Sequence, residues 1–361
     1  MKWNRKGDNM LQTRCSQEVP SNKEPLIIQK LNSGTPPGTS IKEEDSFPYR
    51  VRITGHLRSN IEITSGLSRQ YLPTREELND SFGLADPLDE EGDSPTKGLI
   101  QRYKNRVALY LTNSCAAYCR FCLRKRKIGA KDFIIGEKQI EQVLQYLRTN
   151  VEIREVLLTG GDPLMLENQF IRWLIGELRE ISHVKVLRVC SRMPVQDPYR
   201  IDDDLCAILR GGQPLFFMLH VNHPAELSTP SIDAIVKLQK AGIPVLSQSV
   251  LLKGVNDDLE TLEFLFNKLV EIGVKPYHLY QANRVKGTSH FIVPLGQAIA
   301  LVGKLWGNLS GLAVPIFVYN SEDGKGKIPL APSALYLSED DDEVRFLNYK
   351  GQIARYFKNK I

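Results

Sequence analysis

Hydrophobic and polar positions divide the chain into stretches of different rhythm. Residues 1 to about 60 show no sustained period. Polar runs broken by Pro, Gly and Ser (SNKEP, SGTPPGTS, KEEDSFP) predict a loose tail or a strap over the main body. Residues 61–100 carry a helix-start signal over 73–78 and an acidic linker over 86–93. From about residue 100, short apolar runs alternate with amphipathic helical patterns. A β-prone run covers 107–112, and a helix over 137–147 puts Ile140, Val143, Leu144 and Leu147 on one face. Then follow strands over 155–158, 184–189, 215–219, 245–252 and 277–280, with helices over 170–181, 202–209, 230–241 and 257–272 between them. Six βα-type units in succession demand parallel strands, in an open sheet or a barrel. After residue 290 the alternation weakens. A helix over 295–309, a strand over 314–319, a glycine–lysine loop over 323–329 and a charged, aromatic edge over 344–357 complete the chain. The expected fold class is α/β, a partial (βα)6 barrel. Residues 1–98 form its N-terminal extension, 99–290 the barrel and 291–361 a C-terminal segment.

Composition narrows the class. With 361 residues, 42% of them hydrophobic, the chain can bury one large domain or two ordinary ones. A net charge of +5 suits anionic cofactors or substrates and is too small to argue for nucleic acid. No apolar run approaches the roughly 18 residues needed to span a bilayer, and the first 15 residues hold no apolar signal core. The six cysteines are not spaced as a disulfide framework. A cytoplasmic protein is expected, with no nucleic-acid or membrane partner.

Three of those cysteines carry the clearest chemistry. Cys115, Cys119 and Cys122 follow the 107–112 run at spacings of four and three, and Arg124, Lys125, Arg126 and Lys127 come next. Thiolates hold zinc, copper or iron–sulfur clusters. A structural zinc site lacks its second pair here, a redox CxxC would leave Cys115 idle, and the plainest alternative is three ordinary buried thiols. Four thiols usually complete an iron–sulfur cluster; three leave one iron open. Gly160, Gly161 and Asp162 follow a strand, where glycines make a tight turn or let the backbone approach a ligand. The spacing of His220 and His223 does not suit a helical metal pair, and both are read as pocket lining.

CxxxCxxC after the first strand of a βα barrel resembles the radical SAM superfamily. Collinear segments over 47–332 narrow the resemblance to the lysine 2,3-aminomutase family: FPYRV, QRYKNRVALYLTNSCAAYCRFCLRKR, TGGDPL, LRVCSRMPVQDPYRI, HVNHPAE, SQSVLLKGVND, KPYHLYQANRVKGTSHF and DGKGKIPL. The resemblance implies a radical SAM barrel and an isomerase that shifts an amino group from the α- to the β-carbon of an amino acid. It also implies a 4Fe–4S cluster, S-adenosylmethionine, pyridoxal 5′-phosphate and an electron donor such as flavodoxin or ferredoxin. Carried over, Cys115, Cys119 and Cys122 hold three irons. Gly160, Gly161 and Asp162 contact the amino group of S-adenosylmethionine. Lys327, with Lys325 as its decoy, forms an imine with pyridoxal phosphate. Arg102 and Arg106 grip the phosphate, Gln248 lies near the pyridoxal, and Arg124 pairs with the substrate α-carboxylate. Without the resemblance, the lysine loop and the arginines read as solvated surface.

Two departures stand out. Lysine-specific members hold the side-chain ammonium with two aspartates, whose positions here are Asn283 and Asn320. A buried ammonium between amides loses its charge pairing, at a cost of several kcal/mol by order of magnitude. A neutral or acidic amino acid such as glutamate is therefore expected, with Arg284 or Lys325 facing an acidic side chain. No cysteine follows Cys206, and Asp258 stands where zinc-binding relatives place one, so no zinc is expected. A homo-oligomer is expected. The alternatives are a radical SAM enzyme of another reaction class and an iron–sulfur module that binds RNA through the basic run.

Overall fold

A computed structural model describes residues 49–130, 133, 135–330, 336–339, 343–347 and 352–357. Most of the expected N-terminal tail, with Cys15, lies outside the described residues. Nine strands run in sequence order across one sheet. They are β1 (Leu99–Tyr103), β2 (Arg106–Tyr110), β3 (Glu155–Thr159), β4 (Val186–Ser191), β5 (Leu215–His220), β6 (Val245–Leu251), β7 (Lys275–Gln281), β8 (Ile316–Asn320) and β9 (Lys327–Pro329). From β2 to β8 every neighbour pair is parallel. β1 and β9 flank this run antiparallel. Helices α1 (Glu137–Thr149), α2 (Asn168–Arg179), α3 (Asp203–Gly211), α4 (Thr229–Lys240), α5 (Leu259–Glu271) and α6 (Leu295–Gly303) fill the crossovers. The expected (βα)6 succession is the architecture.

Period two along the strands separates the two faces of the sheet. Val156, Leu158, Leu187, Val189, Phe217, Leu219 and Leu279 turn outward into one continuous apolar core. There they meet the buried stripes of the helices, such as Ile140, Val143, Leu144 and Leu147 of α1. Alternate positions carry Arg188, Cys190, His220, Gln248 and Tyr280, which line a central cavity. All nine strands contribute to that lining, so the sheet curls around it as a barrel left open between β1 and β9.

Local caps place the helix starts. Asp202 accepts from Leu205 N–H at the start of α3, and Asp258 from Thr261 N–H at the start of α5. Asp258 is thus a helix cap.

The structure corrects the expected elements in three places. β1 and β9 are strands where none was expected; both gain their hydrogen bonds from neighbours distant or antiparallel to the βα rhythm. The helix over 295–309 stops at Gly303 and breaks at Trp306 and Gly307, where ψ of 122° and φ of 91° are not helical. The edge over 344–357 contributes to a separate antiparallel sheet of β10 (Tyr336–Glu339), β11 (Glu343–Leu347) and β12 (Ile353–Phe357).

Candidate active site

The cavity has a volume of about 400 Å³. Its lining includes Cys115, Cys119 and Cys122, Gly160 to Asp162, Arg102, Arg106, Arg124, Gln248, Asn283, Asn320 and Lys327. The residues assigned to cluster, cofactor and substrate contacts by the family resemblance therefore line one chamber inside the curled sheet, with the thiol loop and Gly160 to Asp162 at the C-terminal ends of the parallel strands.

The thiol loop is pinned from several sides. Gly161 N–H donates to Thr112 O at 2.5 Å and Asp162 N–H to Ser114 O at 2.8 Å. A Cβ on Gly160 would stand 2.6 Å from Thr112 O, and one on Gly161 would strike the Ser114 carbonyl. Both glycines are demanded by this approach of β3 to the loop that opens the cysteine motif. Buried Glu77 takes the Arg120 guanidinium and the Lys125 ammonium, the latter at 2.8 Å. Lys125 Nζ also donates to Gly287 O at 2.9 Å, tying the loop to the chain after β7.

Cys119 Sγ accepts from Arg192 Nη1 at 2.9 Å and from Gln196 Nε2 at 3.4 Å. Arg192 is itself buried, held by Glu226, by Gln70 Oε1 at 3.0 Å and, through its backbone N–H, by Asp162 at 2.9 Å. Asp162 also accepts from Ser191 Oγ and Leu164 N–H, so its carboxylate is fully committed. Burial, then the neighbouring thiols, pushes Cys122 up to about 11 and raises Cys115 well above the usual thiol range. Among the described residues, no three His, Cys, Asp or Glu side chains converge on a single ion. Thiols that bind separate irons of a cluster stand wider apart than ligands of one ion. Three thiols of one loop in the chamber, one of them already accepting cationic donors, fit a cluster.

Lys327 enters from the other end. β9 pairs it with Asn320 of β8, its N–H donates to Tyr103 Oη at 2.8 Å, and its Nζ donates to Tyr280 Oη at 3.1 Å. Gly326, at φ of 99°, lets the chain pass Tyr103. The lysine side chain is accessible from the cavity, yet the walls displace most of its hydration. Burial first, then the Arg188 charge, lowers it to about 8, within reach of a neutral nucleophilic amine. Arg106 stacks on Tyr103 at 3.7 Å, and Arg102 is anchored by Asp93 at 2.6 Å and by Leu88 O. These groups, with Gln248 and the unpaired buried Nε2 of His220, fit an anionic ring cofactor.

Arg124 is not free. Its guanidinium pairs with Glu90 at 2.7 Å and reaches Thr159 Oγ1 at 3.2 Å. Burial would raise Glu90, but Arg124 and Lys127 outweigh it and hold the carboxyl at about 2. Arg126 and Lys127 bind Asp86, Glu90 and Glu91. The basic run is therefore engaged within the described residues, Lys125 by Glu77 and the other three by the acidic linker, which does not favour an RNA-binding face.

Several expectations are corrected. Arg284 pairs with Glu322, and neither it nor Lys325 lines the cavity. His220 lines it, whereas His223 accepts from Ala225 N–H as a turn cap. Glu90, Arg188, Arg192, Tyr103 and Tyr280 belong to the chamber and carried no assigned role in the sequence reading. The one available signal was that Arg192 directly follows the β4 strand end.

Comparison with known proteins agrees with this geometry. The profile described as the radical SAM superfamily matches residues 109–265, and one described as lysine-2,3-aminomutase matches 302–360. The chain is 39% identical over 320 residues to an L-lysine 2,3-aminomutase of Methanococcus maripaludis, covering 87% of this chain and 73% of that one. It is 40% identical over 311 residues to that of Clostridium subterminale, covering 85% and 74%. It is 38% identical over 316 residues to a glutamate 2,3-aminomutase of Clostridioides difficile, covering 87% and 75%. By identity and coverage, the chain belongs to the lysine 2,3-aminomutase family of the radical SAM superfamily, isomerases that use a 4Fe–4S cluster, S-adenosylmethionine and pyridoxal phosphate.

Proposed function

We propose that this chain is a 2,3-aminomutase for an L-α-amino acid whose side chain carries no positive charge. One observation carries the charge assignment. The carboxylates lining the cavity are Glu90 and Asp162, and both are fully engaged by other residues. At the substrate end stand Asn283 and Asn320, joined by Asn283 Nδ2 donating to Asn320 O at 2.7 Å, beside Leu88, Val285 and Thr288. Among the described residues, an ammonium side chain would find no spare anion there. A neutral one needs no counterion, and an acidic one would meet amide N–H donors in place of carboxylates.

Placement in the cavity supports the remaining roles. Cys115, Cys119 and Cys122 hold the cluster, and Arg192 and Gln196 keep Cys119 oriented by donating to its sulfur. The backbone of Gly160 and Gly161 and the committed Asp162 form the wall for S-adenosylmethionine. Lys327 holds pyridoxal phosphate, Arg102 and Arg106 take its phosphate, and Gln248 flanks its ring. When bound, the cluster and S-adenosylmethionine supply hydrogen-atom abstraction, and pyridoxal phosphate supplies a carrier for the migrating nitrogen. Arg124 receives the substrate α-carboxylate by sharing its fork with Glu90. The three-part division at residues 98 and 290, a flavodoxin- or ferredoxin-type donor, and a cytoplasmic homo-oligomer belong to the same reading. A reducing compartment is supported by the free thiols Cys115, Cys119, Cys122, Cys190 and Cys206.

The test is anaerobic turnover of the reconstituted protein with S-adenosylmethionine, reductant and each of the twenty amino acids. A β-isomer of unchanged mass from a neutral or acidic amino acid is expected. Lysine as the preferred substrate would overturn the charge assignment, and no isomer from any amino acid would overturn the activity.

A further inference from the structure

Lys327 does not stand alone on the cavity wall. Its Nζ lies 3.1 Å from Tyr280 Oη, and Tyr280 Oη lies 3.0 Å from His278 Nδ1. His278 and Tyr280 are two residues apart on β7, so both project from the same face of the strand. Tyr280 lines the cavity, and His278 is buried behind it with the rings packed edge-on at 5.3 Å. The three groups form a short chain from the cavity amine into the wall.

The direction of each bond follows from protonation. Burial, then the Lys327 and Arg188 charges, holds His278 down to about 3, so the ring is neutral at any working pH. Burial drives the Tyr280 phenol upward, so it keeps its proton. A neutral imidazole has one donor and one acceptor nitrogen, but Lys327 Nζ already donates to Tyr280 Oη, so the one phenol proton is assigned to the other described partner, Nδ1, with the ring proton on Nε2. That proton points at Nδ1. Tyr280 Oη then meets Lys327 as an acceptor, and a neutral amine facing it donates N–H and turns its lone pair away. Without His278, the phenol proton would be free to sit on that lone pair and mask it.

We propose that Tyr280 positions the Lys327 amine and that His278, acting through Tyr280, keeps the amine lone pair free to attack a carbonyl. The proposal rests on the reading of Lys327 as the pyridoxal phosphate lysine. The attack forms a C=N bond, and the carbonyl oxygen leaves as water with both amine protons. No oxidant or reductant is consumed. Other groups act on Lys327 through space: Arg188 on β4 and Arg106 on β2 oppose its protonation, while Cys190 on β4 and Glu155 on β3 favour it. Of the bonds described for Nζ, the one to Tyr280 is the contact a single substitution removes.

The experiment is capture of added pyridoxal phosphate by protein stripped of it, followed as imine absorbance and as borohydride-trapped pyridoxyl-Lys327 by mass spectrometry. Tyr280→Phe and His278→Phe are each expected to slow capture roughly tenfold, the scale of one misdirected hydrogen bond, with thermal midpoints held. His278→Gln, whose amide oxygen can accept from the phenol, should restore most of the rate. Rates equal to wild type in both Phe variants, or no recovery in His278→Gln over His278→Phe, would overturn the relay and leave the cofactor reading standing. Should Tyr280→Phe melt early, the two His278 variants alone decide. A wild type whose Lys327 takes up no pyridoxal phosphate would overturn the cofactor reading, and the relay with it.

Discussion

Asn320 and Lys327 stand opposite each other in the antiparallel β8–β9 ladder. One turn, running through Gly324 and Gly326 at φ of 75° and 99°, brings them face to face. The residue proposed to bound the substrate side chain and the residue proposed to hold the cofactor are therefore set by one local register. A slip of β9 by one position would turn Lys327 away from the cavity while β8, held by β7, kept Asn320 in place.

That register makes substrate charge separable from cofactor capture. Asn283→Asp with Asn320→Asp places two carboxylates at the end of the cavity that lacks a spare anion. Turnover of lysine to its β-isomer should rise at least tenfold over wild type, a cautious share of the buried-pair energy, and turnover of the native substrate should fall. Chromatography of the β-amino acids reads both. Unchanged lysine turnover would place the side-chain pocket elsewhere.

Gly161→Ala should cost the cluster. The new Cβ strikes the Ser114 carbonyl at the entrance of the thiol loop, and backbone cannot swing aside as a side chain can. Iron and sulfide per chain after anaerobic reconstitution should fall to about half or less of wild type, a loop-displacement estimate. Gly176→Ala on α2 is the control, because its Cβ meets nothing within 4 Å. It should leave iron content unchanged and stabilise by about 0.5–1 kcal/mol through helix propensity.

Arg192→Leu should be strongly destabilising. It leaves Glu226, fully buried and otherwise bonded to Gln70 and the Asn222 and His223 N–H groups, without its cation. The loss expected for an orphaned buried charge is roughly 3–5 kcal/mol, read from the urea midpoint of the apoprotein. Glu226→Gln together with Arg192→Leu should recover part of it, because the uncompensated charge is gone.

Acid should loosen the linker before the barrel. Glu90 has a folded-state value of about 2, below its ordinary 4.5, so the folded state favours the carboxylate. Its contribution is complete above about pH 4.5 and is lost as pH falls through the range down to 2. Amide exchange of residues 86–93 should rise in that window while β3–β7 stay protected. Glu90→Gln should weaken the pH dependence of that local opening, and Glu91, also held at about 2 and paired with Arg126 and Lys127, should carry the remainder.

Much of this architecture was legible from the chain because it is local. Alternating apolar residues specify the inner strands, amphipathic stripes specify α1 to α5, and Asp202 and Asp258 mark helix starts within a few residues of themselves. The thiol spacing and the glycine pair after β3 likewise stood out in place, whereas the lysine loop read as solvated surface until the family resemblance gave it a role. What only the tertiary structure decided is every pairing across the sheet. β9 is a three-residue strand of Lys, Ile and Pro with no strand period, and it exists because β8 offers it an edge. Arg124 with Glu90, Arg192 with Cys119, and Lys327 with Tyr280 are separated by 34, 73 and 47 positions. No local pattern encodes such pairs, because they form only when the curled sheet closes around one chamber and burial forces each polar group to find a partner.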